Sequence, residues 1–151
     1  MKAIKLSANR WPQGMGPELI KGVRFQVAVS PYFFPERLEC EYTPDHGLVI
    51  LFKYIDNETA EEEWTSPDQI VTLRAGKHSG RLLEAIVHVD KHNLDSLEMF
   101  LTDKLPLAIE NSLRAKKPEL SENYRFAREA VSEYSHQIAQ TANEDRIIHS
   151  T

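Results

Sequence analysis

The sequence predicts an α+β fold, with an antiparallel, meander-rich sheet over the N-terminal two-thirds packed by a C-terminal helical hairpin. Three observations carry that reading. Apolar residues recur at every second position before about residue 92 and at spacings of three and four after it. Turn residues, chiefly Gly, Pro, Asp and Ser, separate the alternating runs. The chain has 151 residues, 41% of them hydrophobic, enough to bury a core without metal or disulfide support. No Gly/Ser-rich linker and no repeat of solenoid length divides it. Residues 1–151 therefore read as a single domain, with the sheet at about 20–90 and helices at about 94–117 and 119–142.

Strands come first. Val23, Phe25, Val27 and Val29 alternate with Arg24, Gln26, Ala28 and Ser30 until Pro31, which ends the run. Pro31-Tyr32-Phe33-Phe34-Pro35 fits either a plug at the end of the core or an exposed binding surface, and the weight of aromatics in core energetics favours the plug. Leu38, Cys40 and Tyr42 alternate with Arg37, Glu39, Glu41 and Thr43, and Pro44-Asp45-His46-Gly47 supplies a turn. With Gly47 at the left-handed position of a three-residue loop, Tyr42 is expected opposite Ile50 and Cys40 opposite Phe52. The run from Leu48 to Ile55 is apolar on both faces, which suits the middle of a covered sheet. Glu61, Glu62 and Glu63, anchored by Trp64, suit an edge strand that must not pair with other chains. Segments 69–75 and 81–89 flank Gly76-Lys77-His78-Ser79-Gly80. Pairing Ala75 with Arg81 sets Leu73 against Leu83 and Val71 against Ala85 on one face, and Ile70 against Ile86 on the other. Helices covering one face leave Val49, Leu51, Ile55, Ile70 and Ile86 in need of a second cover, either the N-terminal segment with Trp11 or another subunit.

Helices follow. Asn93 or Asp95 can cap a helix, Asp95 with Glu98 forming a capping-box-like pair, and Leu94, Leu97, Leu101, Leu105, Ala108, Ile109 and Ser112 make one stripe. Pro106 lacks a backbone donor and is expected to kink or split this helix near residues 102–106. Lys116 and Lys117 complement the C-terminal end of the helix dipole, and Pro118 closes it. Tyr124, Ala127, Val131, Tyr134 and Ile138 give the second helix a heptad-like seam, and the short connection makes the two helices antiparallel neighbours. The tail from Asn143 to Thr151 is expected to fray.

Tyr42-x-Pro44-Asp45, Leu48-x-Ile50-x-Phe52, Ala60-Glu61-Glu62 and Gly80-Arg81-Leu82-Leu83-Glu84-Ala85-Ile86 resemble a small uncharacterised bacterial β-meander family with a YD…LYI…GRLVGIEI pattern. The resemblance covers residues 42–89, under a third of the chain, and departs from the pattern where Gly47 stands in place of the family's Asp. Because that family has no assigned activity, the resemblance implies only a meander.

Composition excludes several function classes. A formal net charge of -5 supplies no general attraction to nucleic acid or anionic lipid, and the local cluster Arg114, Lys116 and Lys117 reads as helix-end charge. The first ten residues are too charged for a secretory core, and the longest aliphatic and aromatic run, Leu48 to Phe52, is far short of the ~20 residues that span a bilayer. Cys40, the one cysteine, forbids an intrachain disulfide and favours a reducing, cytoplasmic setting.

Two constellations merit a chemical reading. His88, Asp90 and His92 are metal-ligand types on one side of a strand, with Glu84 further back. At ~3.3 Å rise per residue, however, His88 and His92 stand roughly 13 Å apart, too far for all three to reach one ion at ~2.0–2.2 Å. Two of them plus a ligand from elsewhere form the metal reading; a strand turning polar near a helix cap forms the plain one. Arg74, Lys77 and His78 surround a Gly-bounded loop suited to an anion, or to a solvated hairpin tip. The loop is not a P-loop, because Val71 and His78 occupy positions that need Gly and Ser or Thr. Ser79 with His78 or His88 offers triad residue types without a Gly-x-Ser-x-Gly elbow, and Cys40 on the apolar row reads as a buried spacer. The expected function is a non-catalytic interaction or accessory module, a homodimer engaging a protein partner and using no cofactor. The alternative is a small ligand- or metal-binding enzyme with a cleft near residues 74–92.

Overall fold

Alternation and turn chemistry between residues 37 and 53 produce a hairpin of β4 (Arg37–Thr43) and β5 (Gly47–Lys53). The computed structural model describes residues 2–5, 19–20, 23–24, 35–56, 58–76, 79–89, 96–116 and 121–149. Gly47 turns the hairpin at φ +82°, and a Cβ there would strike the Val87 carbonyl oxygen, so the position is glycine for conformation and for space. Thr43 Oγ1 accepts from the His46 amide at 3.2 Å across the turn. The register is Tyr42↔Leu48, Cys40↔Ile50 and Leu38↔Phe52. This corrects the expected Tyr42–Ile50 pairing by two residues: Thr43↔Gly47 closes the ladder around a loop of Pro44, Asp45 and His46 alone. A two-residue slip preserves the faces, so the expected apolar row survives.

Strands β6 (Ala60–Thr65), β7 (Val71–Gly76) and β8 (Leu82–Val87) form a meander, and β8 pairs with β5. With β1 (Lys2–Lys5) outside β4, the antiparallel sheet has the order β1-β4-β5-β8-β7-β6. The two-faced strand β5 lies in the interior and the acidic β6 at an edge, as their residue patterns require. Between β7 and β8 the register is Val71↔Val87 and Leu73↔Ala85, again two residues from the expected pairing. A bulge between Arg74↔Glu84 and Ala75↔Leu82 leaves Leu83 as the extra residue. A separate two-stranded ladder joins β2 (Leu19–Ile20) to β3 (Val23–Arg24); Phe25 to Phe34 and Trp11, named above, lie outside the described residues.

The stripe of the first helix is buried: Leu97, Leu101, Leu105 and Ile109 are all at most 1% exposed. Their spacing of four would drift about 40° per step on an ideal α-helix of 3.6 residues per turn. The helix removes the drift by changing its winding. A short α1 (Leu97–Met99) passes into a π-helical turn, Phe100–Lys104, before α2 (Leu105–Lys116). Leu105 N–H donates to Phe100 O, and the wider turn lies just ahead of Pro106, whose nitrogen has no proton to give. Asn93, Leu94, Asp95 and Pro118 are outside the described residues.

One helix over 119–142 was expected; the structure has two. α3 (Ser121–Glu133) and α4 (Ser135–His149) meet at Tyr134, where Tyr134 N–H still bonds Ala130 O and Ile138 N–H still bonds Tyr134 O, both at 3.0 Å. α3 packs on α2 as the expected hairpin, and α4 continues onto β4. The tail is therefore helical rather than frayed as far as His149. Its anchor is specific. Among the described residues β1 pairs with β4 as far as Lys2↔Cys40, and the Tyr42 N–H beyond it donates to Asp145 Oδ2 at 3.0 Å. Lys2 Nζ and Glu144 Oε2 lie 3.0 Å apart beside it. Ala127, Val131 and Ile138 of the heptad-like seam enter the same core as Leu38, Ile50 and Leu82, so that seam is used within the chain.

Candidate functional site

The residues singled out from sequence do not converge. Of the metal trio, His88 is described, whereas Asp90 and His92 lie outside the described residues. His88 is exposed; its N–H donates to Ile70 O at 2.7 Å, and its Nε2 is 3.0 Å from Thr72 Oγ1. Thr72 Oγ1 in turn lies 3.2 Å from Thr65 Oγ1, so the imidazole ends a polar chain across the sheet. Among the described residues no three His, Cys, Asp or Glu side chains are grouped to hold a metal. Arg74 is the described member of the anion set, with Lys77 and His78 outside. It stands on the outer face of the sheet, away from the helices, 3.8 Å from Glu63 and 3.8 Å from Glu84, which offset its charge. Cys40 is fully buried, and burial, with the charges of Asp145 and Glu39, pushes its thiol up to about 12. It stays protonated at neutral pH and is no nucleophile.

Ser79 joins a different cluster. Its hydroxyl donates to Glu58 Oε1 at 2.5 Å and accepts from the Arg81 amide at 3.0 Å. Arg81 is only 3% exposed. Its Nη1 donates to Asp56 Oδ1 at 2.6 Å and its Nη2 to Glu58 Oε1 at 2.9 Å, while its guanidinium carbon lies 4.6 Å from the centre of the Tyr54 ring. The Arg81 hydrogen bond holds the Asp56 carboxyl below its ordinary value. Burial pushes Glu58 up, but the hydrogen bonds from Ser79 and Arg81 outweigh it and the net shift is downward. Gly76 completes the fit, because a Cβ there would collide with the Glu58 carboxylate.

This cluster exists because β5 must leave β8. The two strands pair from Leu48↔Val87 to Leu51↔Glu84 and then fork, since the chain crosses the end of the β7–β8 hairpin to start β6 at the far edge. Arg81 ties Asp56 and Glu58 of that crossover to the hairpin tip. The fork strips a ladder partner from β8, and the Tyr54 hydroxyl replaces it by donating to Leu82 O at 2.7 Å. What remains open is a cleft of about 200 Å³, with Leu51, Ala60 and Leu83 as apolar walls and Lys53, Asp56 and Glu84 as polar ones. No protein family, curated protein or solved structure matches this chain. Function is therefore read from this geometry.

Beside the fork, the outer face carries Val49 and Ile86, which are directly paired, and Leu51, all half-buried. Ile70, expected with them, packs against the core instead, and Ile55 lies in the crossover at 48% exposed. Charged residues surround the strip. Lys5, Arg37 and Lys53 are cross-strand neighbours at one end, and Glu39 and Glu41 flank Leu51 and Val49. The Arg81 cluster has a sequence signal: the expected Ala75–Arg81 pairing places a charge on the apolar row. A buried guanidinium demands acidic partners.

Proposed function

We propose that this chain is a non-catalytic interaction module that homodimerises through the outer face of its sheet. The half-buried strip of Val49, Leu51 and Ile86 in the middle of that face carries the reading, because a solvated sheet face ordinarily bears polar residues there. Off the central row the surrounding charge is self-complementary. Arg37 and Glu41 lie on either side of Glu39 and share its face, so a two-fold axis along the Glu39–Leu51–Glu84 row sets Arg37 against the partner's Glu41 and Leu51 against the partner's Leu51; Glu39 and Glu84 on the axis meet their own copies, with Arg37 and Arg74 of the same chain to offset them. A stable interface needs roughly 1,000 Å² or more, which makes the strip its centre and the charged rows its rim. A further protein partner would be engaged by surfaces outside this interface. No helix among the described residues is long and apolar enough to cross a membrane. The buried lone thiol of Cys40 suits a reducing cytoplasm.

Sedimentation of the full chain and of Leu51→Glu tests the reading. The wild type is expected to be a dimer at tens of micromolar, and Leu51→Glu a monomer with an unchanged circular-dichroism spectrum. A wild-type chain that stays monomeric at about 100 μM, a dissociation constant weaker than roughly −5.5 kcal/mol of association, overturns it.

A further inference from the structure

We propose that the fork between β5 and β8 is a binding site for a small zwitterion of the α-amino-acid class. Leu51 and Glu84 also lie on the face given to the dimer, so the site belongs to the free monomer and is tested there. Size sets the first limit: at ~30 Å³ per water molecule, the cleft of about 200 Å³ holds about seven waters, and an occupant of about seven to ten non-hydrogen atoms fills it.

Charge sets the second. Lys53 has no ion-pair partner among the described residues, and it stands directly opposite Arg37, so its ammonium faces another cation across the ladder. Arg37 turns to Glu39, at 2.9 Å, which leaves Lys53 as the cation of a cleft otherwise lined by the carboxylates of Asp56, Glu58 and Glu84. On the β8 side stands Glu84, whose side chain is 19% exposed and which pairs with Arg74 at a loose 3.8 Å. Asp56 adds a carboxylate on the crossover, its Oδ1 already held by Arg81. A simple anion would gain Lys53 but meet Glu84, Asp56 and the Arg81-bound Glu58; a simple cation would gain the carboxylates but meet Lys53. A ligand carrying both charges on a short stem satisfies both walls, its carboxylate toward Lys53 and its ammonium toward Glu84. Leu51, Leu83 and Ala60 then offer its side chain an apolar surface.

The backbone of the walls is also fixed before any ligand arrives. Lys53 and Glu84 sit on paired strands, Leu83 is held by the bulge, and the crossover is pinned by Arg81 and the Tyr54 hydroxyl.

The test is a titration of the ¹⁵N-labelled full chain, at a concentration where sedimentation shows it to be monomeric, with free valine, leucine and methionine, each against its N-acetyl and its C-terminal amide derivative. Saturable shifts are expected at the amides of Leu51, Lys53, Leu83 and Glu84 with at least one free amino acid. Both capped derivatives of that amino acid should bind at least about tenfold more weakly, since each loses one charge-assisted contact. Lys53→Met and Glu84→Gln should each weaken binding by about tenfold while the spectrum keeps its native dispersion. Absence of saturable shifts with all three amino acids, or equal binding of free and capped forms, overturns the proposal. The capped-ligand arm uses only the wild-type chain, so it decides the matter even if a variant fails to fold.

Discussion

Arg81 is a charged side chain at an inward position, and its neighbourhood shows what that requires. Breaking a buried ion pair costs about 3–5 kcal/mol, and Asp56, at 53% exposed, regains water when its partner is lost. Arg81→Met is therefore expected to lower stability by about 3 kcal/mol, at the low end of that range, measured by urea unfolding. Adding Glu58→Gln to it should recover part of the loss, because the stranded carboxylate is then neutral; a double variant no more stable than the single would show that Glu58 is not the stranded charge. Acid probes the same cluster. Asp56 and Glu58 both have folded values below their ordinary 3.8 and 4.5. The unfolded chain thus binds their protons first, and their contribution is fully present above those values and fades as pH falls through the lower folded ones. Wild-type stability should drop more steeply than that of Glu58→Gln below about pH 4.5, and parallel curves would remove Glu58 from the account.

Among the elements, helix periodicity was the most legible feature and helix winding the least. The stripe Leu97, Leu101, Leu105 and Ile109 is visible in sequence, and Pro106 marks where the helix must change. The form of that change, a π turn that returns the stripe to one face, depends on what the stripe packs against. The α3–α4 division at Tyr134 has no Pro or Gly to announce it, and beyond it α4 packs on β4. Asp145 secures that packing by capping the edge amide of Tyr42. Asp145→Ala is expected to cost about 1–2 kcal/mol, the penalty for a buried amide left without its acceptor, and to speed amide exchange across α4. Exchange confined to unchanged rates would show that α4 is held by its apolar contacts alone.

For the whole molecule, strand order decides which parts open first. β5 is paired on both sides and buries Leu48, Ile50 and Phe52, whereas β6 pairs only with β7 and alternates half-buried with exposed residues. Amides of Leu48 and Ile50 should exchange near the global unfolding free energy and those of Glu61 to Trp64 well below it; uniform protection across the sheet would contradict this order. The sequence by itself determined the α+β division, the faces of the strands, the interior place of β5 and the acidic edge at β6, because alternation and charge are local properties that survive a two-residue slip in register. Only the tertiary structure decided the registers, the β5–β8 pairing and the fork with its Arg81 lock. Those depend on which distant segments compete for the same strand edge, and when β8 takes the edge of β5, the departing chain must open a cleft and bury a charge to close it.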